Sequence, residues 1–138
     1  MIVLHPSQLN EIFASAREAD PDECCGLLGG TAEGKATSVY PLRNIAQRKV
    51  VSYEAAPEDL FAAQRQMREN GETLLGIYHS HPRAAEPEPS ATDVRLAFYP
   101  QAIYFIIGLA GSQPVMSAFR ISERDERWEQ VEYGIAGE

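Results

Sequence analysis

The sequence predicts an α+β fold, a single domain over residues 1–138 with a mixed, mainly antiparallel sheet and helices packed on it. Three observations carry that expectation. Two segments, beginning at Pro6 and Pro57, repeat apolar residues at the spacing of one helix face. Several short apolar runs, bounded by Gly, Pro, Asn or Asp, have the length and composition of strands. A chain of 138 residues suits one hydrophobic core, and this one shows no internal repeat, low-complexity tract or linker.

Taken in order, Ile2-Val3-Leu4 reads as a first strand. A helix follows from Pro6, a residue suited to a first helical turn, with Leu9, Ile12, Phe13 and Ala16 on one stripe. Asp20-Pro21 ends it, because the residue before proline avoids helical angles. Glu23 to Gly30 is a mostly apolar run closed by paired glycines and reads as a buried strand. Gly34 turns it into a second hairpin arm over residues 36–42. Residues 43–49 are polar and loop-like, with a short strand expected around Val50-Val51-Ser52-Tyr53. The second helix should begin near Pro57, bury Leu60, Ala63 and Met67, and stop at Asn70-Gly71. A strand from Thr73 to His81 comes next, then a proline-rich loop and a helix from Ser90 towards Phe98, stopped by Pro100. Ala102 to Leu109 is the most strand-like run, and Gly111-Ser112 turns it into Val115 to Ile121. Trp128 to Tyr133 adds an edge strand, which could pair between two chains to give a homodimer.

Composition narrows the partners. A formal net charge of -8 argues against nucleic acid, whose phosphates call for clustered Lys and Arg. No stretch has the length or character of a signal peptide or a membrane span. The two cysteines, Cys24 and Cys25, are adjacent. A trans peptide holds their Cα atoms about 3.8 Å apart, too close for ordinary disulfide geometry. That leaves no disulfide framework and implies a cytoplasmic protein whose cysteines pack as small buried residues.

The chemistry concentrates at His79-Ser80-His81-Pro82 and Ser90-Ala91-Thr92-Asp93. On a strand, side chains alternate faces, so His79 and His81 share one, roughly 6.6 Å apart along the backbone. Pro82 cannot donate to a ladder and closes the strand beyond them. With Asp93 on the next helix, the two imidazoles make three protein donors, the number that leaves a zinc ion one open position. Ser90 and Asp93 equally match a capping box, which needs no metal to explain it. Glu23, heading an apolar run, either sits at the rim of the sheet or serves as a general acid/base beside an activated water.

Glu23-x-Cys25-Gly26-Leu27-Leu28, then His79-Ser80-His81-Pro82 and Ser90-x-x-Asp93, together resemble the JAMM motif of the JAB1/MPN/Mov34 metalloproteases. The resemblance covers almost the whole chain and is nearest the small prokaryotic branch. It implies a three-layer α/β/α arrangement of the cytidine-deaminase-like type. It also implies one Zn2+ per chain held by His79, His81 and Asp93, with Glu23 as general acid/base and Ser90 donating to the oxyanion. One departure stands out: eleven residues, Pro82 through Thr92, separate the second histidine from the aspartate, where the family pattern has ten. The extra residue falls before Pro89, so it alters the cleft rim more than the donor set.

The function this implies is a zinc peptidase or isopeptidase acting after the C-terminal Gly-Gly of a ubiquitin-fold protein. Sulfur carriers of the ThiS/MoaD type are the expected substrate, because the long insertions of polyubiquitin-specific relatives are missing. Two alternatives share the fold: a non-catalytic MPN scaffold, which would lack some of the five residues, and a phage-tail or cell-wall peptidase.

Overall fold

The computed structural model describes residues 1–137. The element order is β1 (Ile2–Leu4), α1 (Pro6–Ala19), β2 (Cys25–Gly30), β3 (Ala36–Leu42), α2 (Pro57–Glu69), β4 (Thr73–His81), α3 (Ala91–Arg95), β5 (Ile103–Gly108), β6 (Val115–Ser122), β7 (Arg127–Val131) and β8 (Tyr133–Ile135). Six strands form one sheet in the order β3-β2-β4-β5-β6-β7. Only β4 and β5 run parallel within it; the other pairings are antiparallel. The fold class is therefore as expected, a mixed and mostly antiparallel sheet with few helices.

Period-2 alternation makes this sheet the middle layer. Leu28, Tyr78, Phe105 and Ile107 project to one face, where Ile12 and Ala16 of α1 complete a fully buried cluster. Leu27, Ile77, Tyr104 and Ile106 project to the other, against Ala63 and Met67 of α2. Burying each such side chain contributes about 1.5–3 kcal/mol, which outweighs the modest intrinsic helicity of segments this short. The α1 stripe falls where the spacing of Ile12 and Ala16 put it. The start of that helix is capped by His5: its Nδ1 accepts from Ser7 N (3.2 Å), and Gln8 Oε1 accepts from His5 N (2.8 Å).

Three local outcomes differ from the sequence reading. Strand β1 does not join the main sheet but pairs in parallel with β8, Ile2 opposite Tyr133. Helix α3 ends at Arg95 rather than near Phe98: Leu96 N makes the last helical bond, to Thr92 O, after which Ala97 N and Phe98 N close tighter turns onto Val94 O and Leu96 O, and Pro100 disfavours helical angles before it. Residues 50–53 form no strand. Val51 N and Ser52 N turn back onto Arg48 O, and the Asn44 side chain takes Ser52 O together with the flanking Ala46 N and Glu54 N.

Candidate active site

Glu23 lies just before β2, the two histidines end β4, and Asp93 sits in the first turn of α3. The pairing of Cys25 with His79 brings the first of these beside the second. The parallel β4–β5 pairing requires a long crossover, residues 82–102, and α3 within it returns over the end of β4. All five residues singled out from the sequence meet at this one end of the sheet.

The geometry is compact. His79 Nε2 lies 3.2 Å from Asp93 Oδ2, His81 Nε2 lies 3.1 Å from the same oxygen, and the two nitrogens are 3.2 Å apart. A tetrahedral ion with bonds of about 2.0–2.1 Å spaces its donors by about 3.3 Å. The triangle therefore fits one such ion on a single side of the donors, with one position left over. Glu23 is within the same group: it, His79 and His81 each offer a ligand atom, all within 4.8 Å of one another.

The capping box and the donor set share one atom, Asp93 Oδ2. Ser90 N donates to Asp93 Oδ2 (2.8 Å), and Asp93 N donates to Ser90 Oγ (3.0 Å). The cap fixes the carboxylate rigidly, and since Ser90 Oγ accepts here, its own O–H is left to donate elsewhere. Burial opposes ionisation of Asp93, but hydrogen bonds from His79 and His81 outweigh it and hold the carboxyl well below the usual range. His81 is raised despite its burial by its hydrogen bond to Asp93.

Glu23 behaves oppositely. It is 5% exposed, and its Oε1 has no hydrogen-bond partner among the described residues. Burial pushes its carboxyl up to about 7, with His81 opposing and the Asp93 charge adding to the rise. Two nearby carboxyls thus sit in contrasting environments, Asp93 held low by its imidazole partners and Glu23 pushed up by burial.

Three supporting residues carried no obvious signal in the sequence. Tyr53 stacks on His79, ring centroids 4.6 Å apart at 26°. The stack adds to the Nε2 contact with Asp93 in fixing the ring, whose Nδ1 is buried and unpartnered among the described residues. Ser80, between the histidines, points to the opposite face and accepts from Cys24 N (2.8 Å). Asn44 Nδ2 donates to Glu23 O (2.9 Å). The two cysteines pack as expected: burial raises their thiols to about 11 at Cys24 and about 12 at Cys25, so neither is a thiolate nucleophile.

A cleft of about 1080 Å³ runs along the α2 face, walled by Leu42, Val51, Leu60, Met67, Leu96 and Phe98; it reaches Cys25, Tyr53 and Thr92, the neighbours of the site, while none of the five site residues lines it. Fold and site together define an α+β protein with a strand-borne histidine pair, a helix-borne aspartate and a buried glutamate at one end of the sheet. Residues 5–122 match the family described as prokaryotic homologs of the JAB domain. The chain belongs to that family. It is 35% identical over 102 residues to the desampylase of Haloferax volcanii, covering 70% of this chain and 73% of that protein. It is 34% identical over 108 residues to the CysO-cysteine peptidase of Mycobacterium tuberculosis, covering 78% and 73%. The solution structure of protein DSY2949 from Desulfitobacterium hafniense superposes with a TM-score of 0.88 at 40% identity, covering 100% of this chain and 94% of that one.

Proposed function

We propose that this chain, acting as one catalytic domain, is a zinc-dependent peptidase or isopeptidase. Its substrate is a ubiquitin-fold sulfur carrier of the ThiS/MoaD type, cleaved after the C-terminal Gly-Gly. The observation that carries the reading is the donor triangle of His79, His81 and Asp93 with the buried, unpaired Glu23 carboxyl beside it. The names of the relatives support the substrate class: a peptidase of a CysO-cysteine conjugate and a desampylase.

A zinc ion held by His79, His81 and Asp93 would supply Lewis acidity and lower the pKa of a water towards 7. Glu23 takes the attacking water's proton and later gives it to the leaving nitrogen, a double duty suited to a carboxyl raised to about 7 by burial. Ser90 donates its free O–H to the oxyanion of the tetrahedral carbon. The cleft takes the extended substrate tail, whose glycines let its backbone lie close to the walls.

The test uses a ubiquitin-fold carrier extended by a few residues past its Gly-Gly, followed by intact mass. The purified protein should bind about one zinc per chain and shorten the carrier to its Gly-Gly end. Glu23→Gln should keep the metal and lose turnover by several orders of magnitude. Absence of metal, or full turnover by Glu23→Gln, refutes the mechanism; an intact carrier refutes the substrate class.

A further inference from the structure

We infer that Asn44, in the loop between β3 and α2, is a positioning residue for Glu23. The inference rests on the role given to Glu23 above. Glu23 lies outside the sheet ladder, which begins at Cys25, and its Oε1 is unpartnered among the described residues. Its carboxyl is therefore placed by its backbone, and that backbone is held by the loop at both ends. Glu23 N donates to Lys49 O (2.7 Å), and Glu23 O accepts from Asn44 Nδ2 (2.9 Å).

Asn44 also holds the loop in the shape that makes this grip. Its Nδ2 donates to Ser52 O (3.1 Å), while its Oδ1 accepts from Ala46 N (2.9 Å) and Glu54 N (3.0 Å). One primary amide supplies two donors and a two-fold acceptor, a combination that Asp, lacking donors, cannot reproduce. The same loop stacks Tyr53 on His79 and contributes Gln47, Arg48 and Val51 to the cleft wall. The segment that borders the substrate path thus also sets the proton carrier.

The experiment compares Asn44→Ala and Asn44→Asp with Arg43→Ala. Arg43 anchors the start of the same loop through Asp59 (3.0 Å) and Glu58 (3.2 Å) without touching Glu23. Asn44→Asp keeps the acceptor for Ala46 and Glu54 but replaces the donor with a carboxylate oxygen facing Glu23 O and Ser52 O, so it breaks the same contact without opening a cavity and serves where the alanine variant does not fold. In metal-free protein, amide exchange at Glu23 should quicken at least about tenfold in both Asn44 variants and stay unchanged in Arg43→Ala. With zinc loaded, kcat on the extended carrier should fall about 10–100-fold, with KM within about threefold and metal content retained. Unaltered protection at Glu23, a raised KM with kcat intact, or an equal loss of kcat in Arg43→Ala overturns the inference. If the unaltered protein cleaves no carrier, the proposed substrate fails, and the exchange measurement decides the role of Asn44 alone.

Discussion

Ser80→Ala should weaken the seam between the histidine strand and the segment carrying Glu23. Ser80 is fully buried and sits between His79 and His81, yet the pleat turns it to the opposite face of the sheet. There its Oγ accepts from Cys24 N at 2.8 Å, while Ser80 N donates to Cys24 O at 3.2 Å. Removing the hydroxyl leaves the Cys24 N–H without an acceptor in a site only 7% exposed. A stranded buried donor costs about 1–3 kcal/mol, and the loss of one small atom adds little cavity. With a urea dependence of about 1–3 kcal/mol per molar for a domain of this size, the midpoint should fall by about 1 M. The assay is urea unfolding at neutral pH in the presence of a chelator, with Ser52→Ala as control. Ser52 Oγ donates to Arg48 O in an exposed position, so that change should cost under about 0.5 kcal/mol. A Ser80→Ala midpoint equal to that of the control would refute the reasoning.

Tyr53→Ala should weaken metal retention about threefold to tenfold, the worth of an aromatic stack of about 0.5–1.5 kcal/mol, while Tyr53→Phe keeps it. Competition with a graded chelator reads the difference, and equal retention by the alanine variant would remove Tyr53 from the site. Gly26→Ala should destabilise by about 1–3 kcal/mol or more, because its new Cβ would meet the Tyr78 ring at 2.2 Å and that ring is fully buried. Unfolding of Gly26→Ala in a Tyr78→Val background should show most of the cost gone; the same cost in both backgrounds contradicts the clash. Glu72 accepts from the hydroxyls of Thr37, Ser38 and Tyr40. Partial burial opposes its ionisation, but these bonds prevail and lower its carboxyl below 4.5. A carboxyl lowered in the fold contributes stability above its unfolded value and loses it as pH falls through the folded one. The advantage of the parent over Glu72→Gln should therefore be constant above about pH 5 and shrink below 4.5, as measured by thermal unfolding across that range.

Where one physical signal dominated, the sequence was readable. The α1 stripe, the paired glycines ending β2 and the apolar runs of β4, β5 and β6 declare themselves through periodicity and turn residues, and each lies where those features put it. The failures share a cause. Residues 50–53 have strand-like composition, but Val51 N and Ser52 N turn back onto Arg48 O and Asn44 Nδ2 takes Ser52 O, and no local pattern reports a side-chain capture from eight residues away. Strand β1 found a partner, β8, from the far end of the chain, and that pairing too is invisible to local propensity. The same limit applies to the site. The five residues of the motif announce themselves by type and spacing, whereas Tyr53, Ser80 and Asn44 matter through what they touch.

The face on which the site opens was beyond the motif as well. A His-x-His pair on a strand states that two imidazoles share a side; it does not say which side. Leu74 of β4 packs with the α2-side cluster and Leu75 with the α1-side cluster. Unbroken alternation would then send Gly76, Tyr78 and Ser80 towards α2 and both histidines towards α1, into the buried apolar cluster there. The pairing with β2 instead skips Leu75, matching Leu28 to Gly76 and Gly29 to Leu74. That bulge reverses the phase, so Ile77 joins the α2-side cluster and Tyr78 the α1 side. A one-residue slip exchanges the two faces of every later residue. Leu75 is thus the residue that turns His79 and His81 to the α2 side of the sheet, four and six positions before the pair itself.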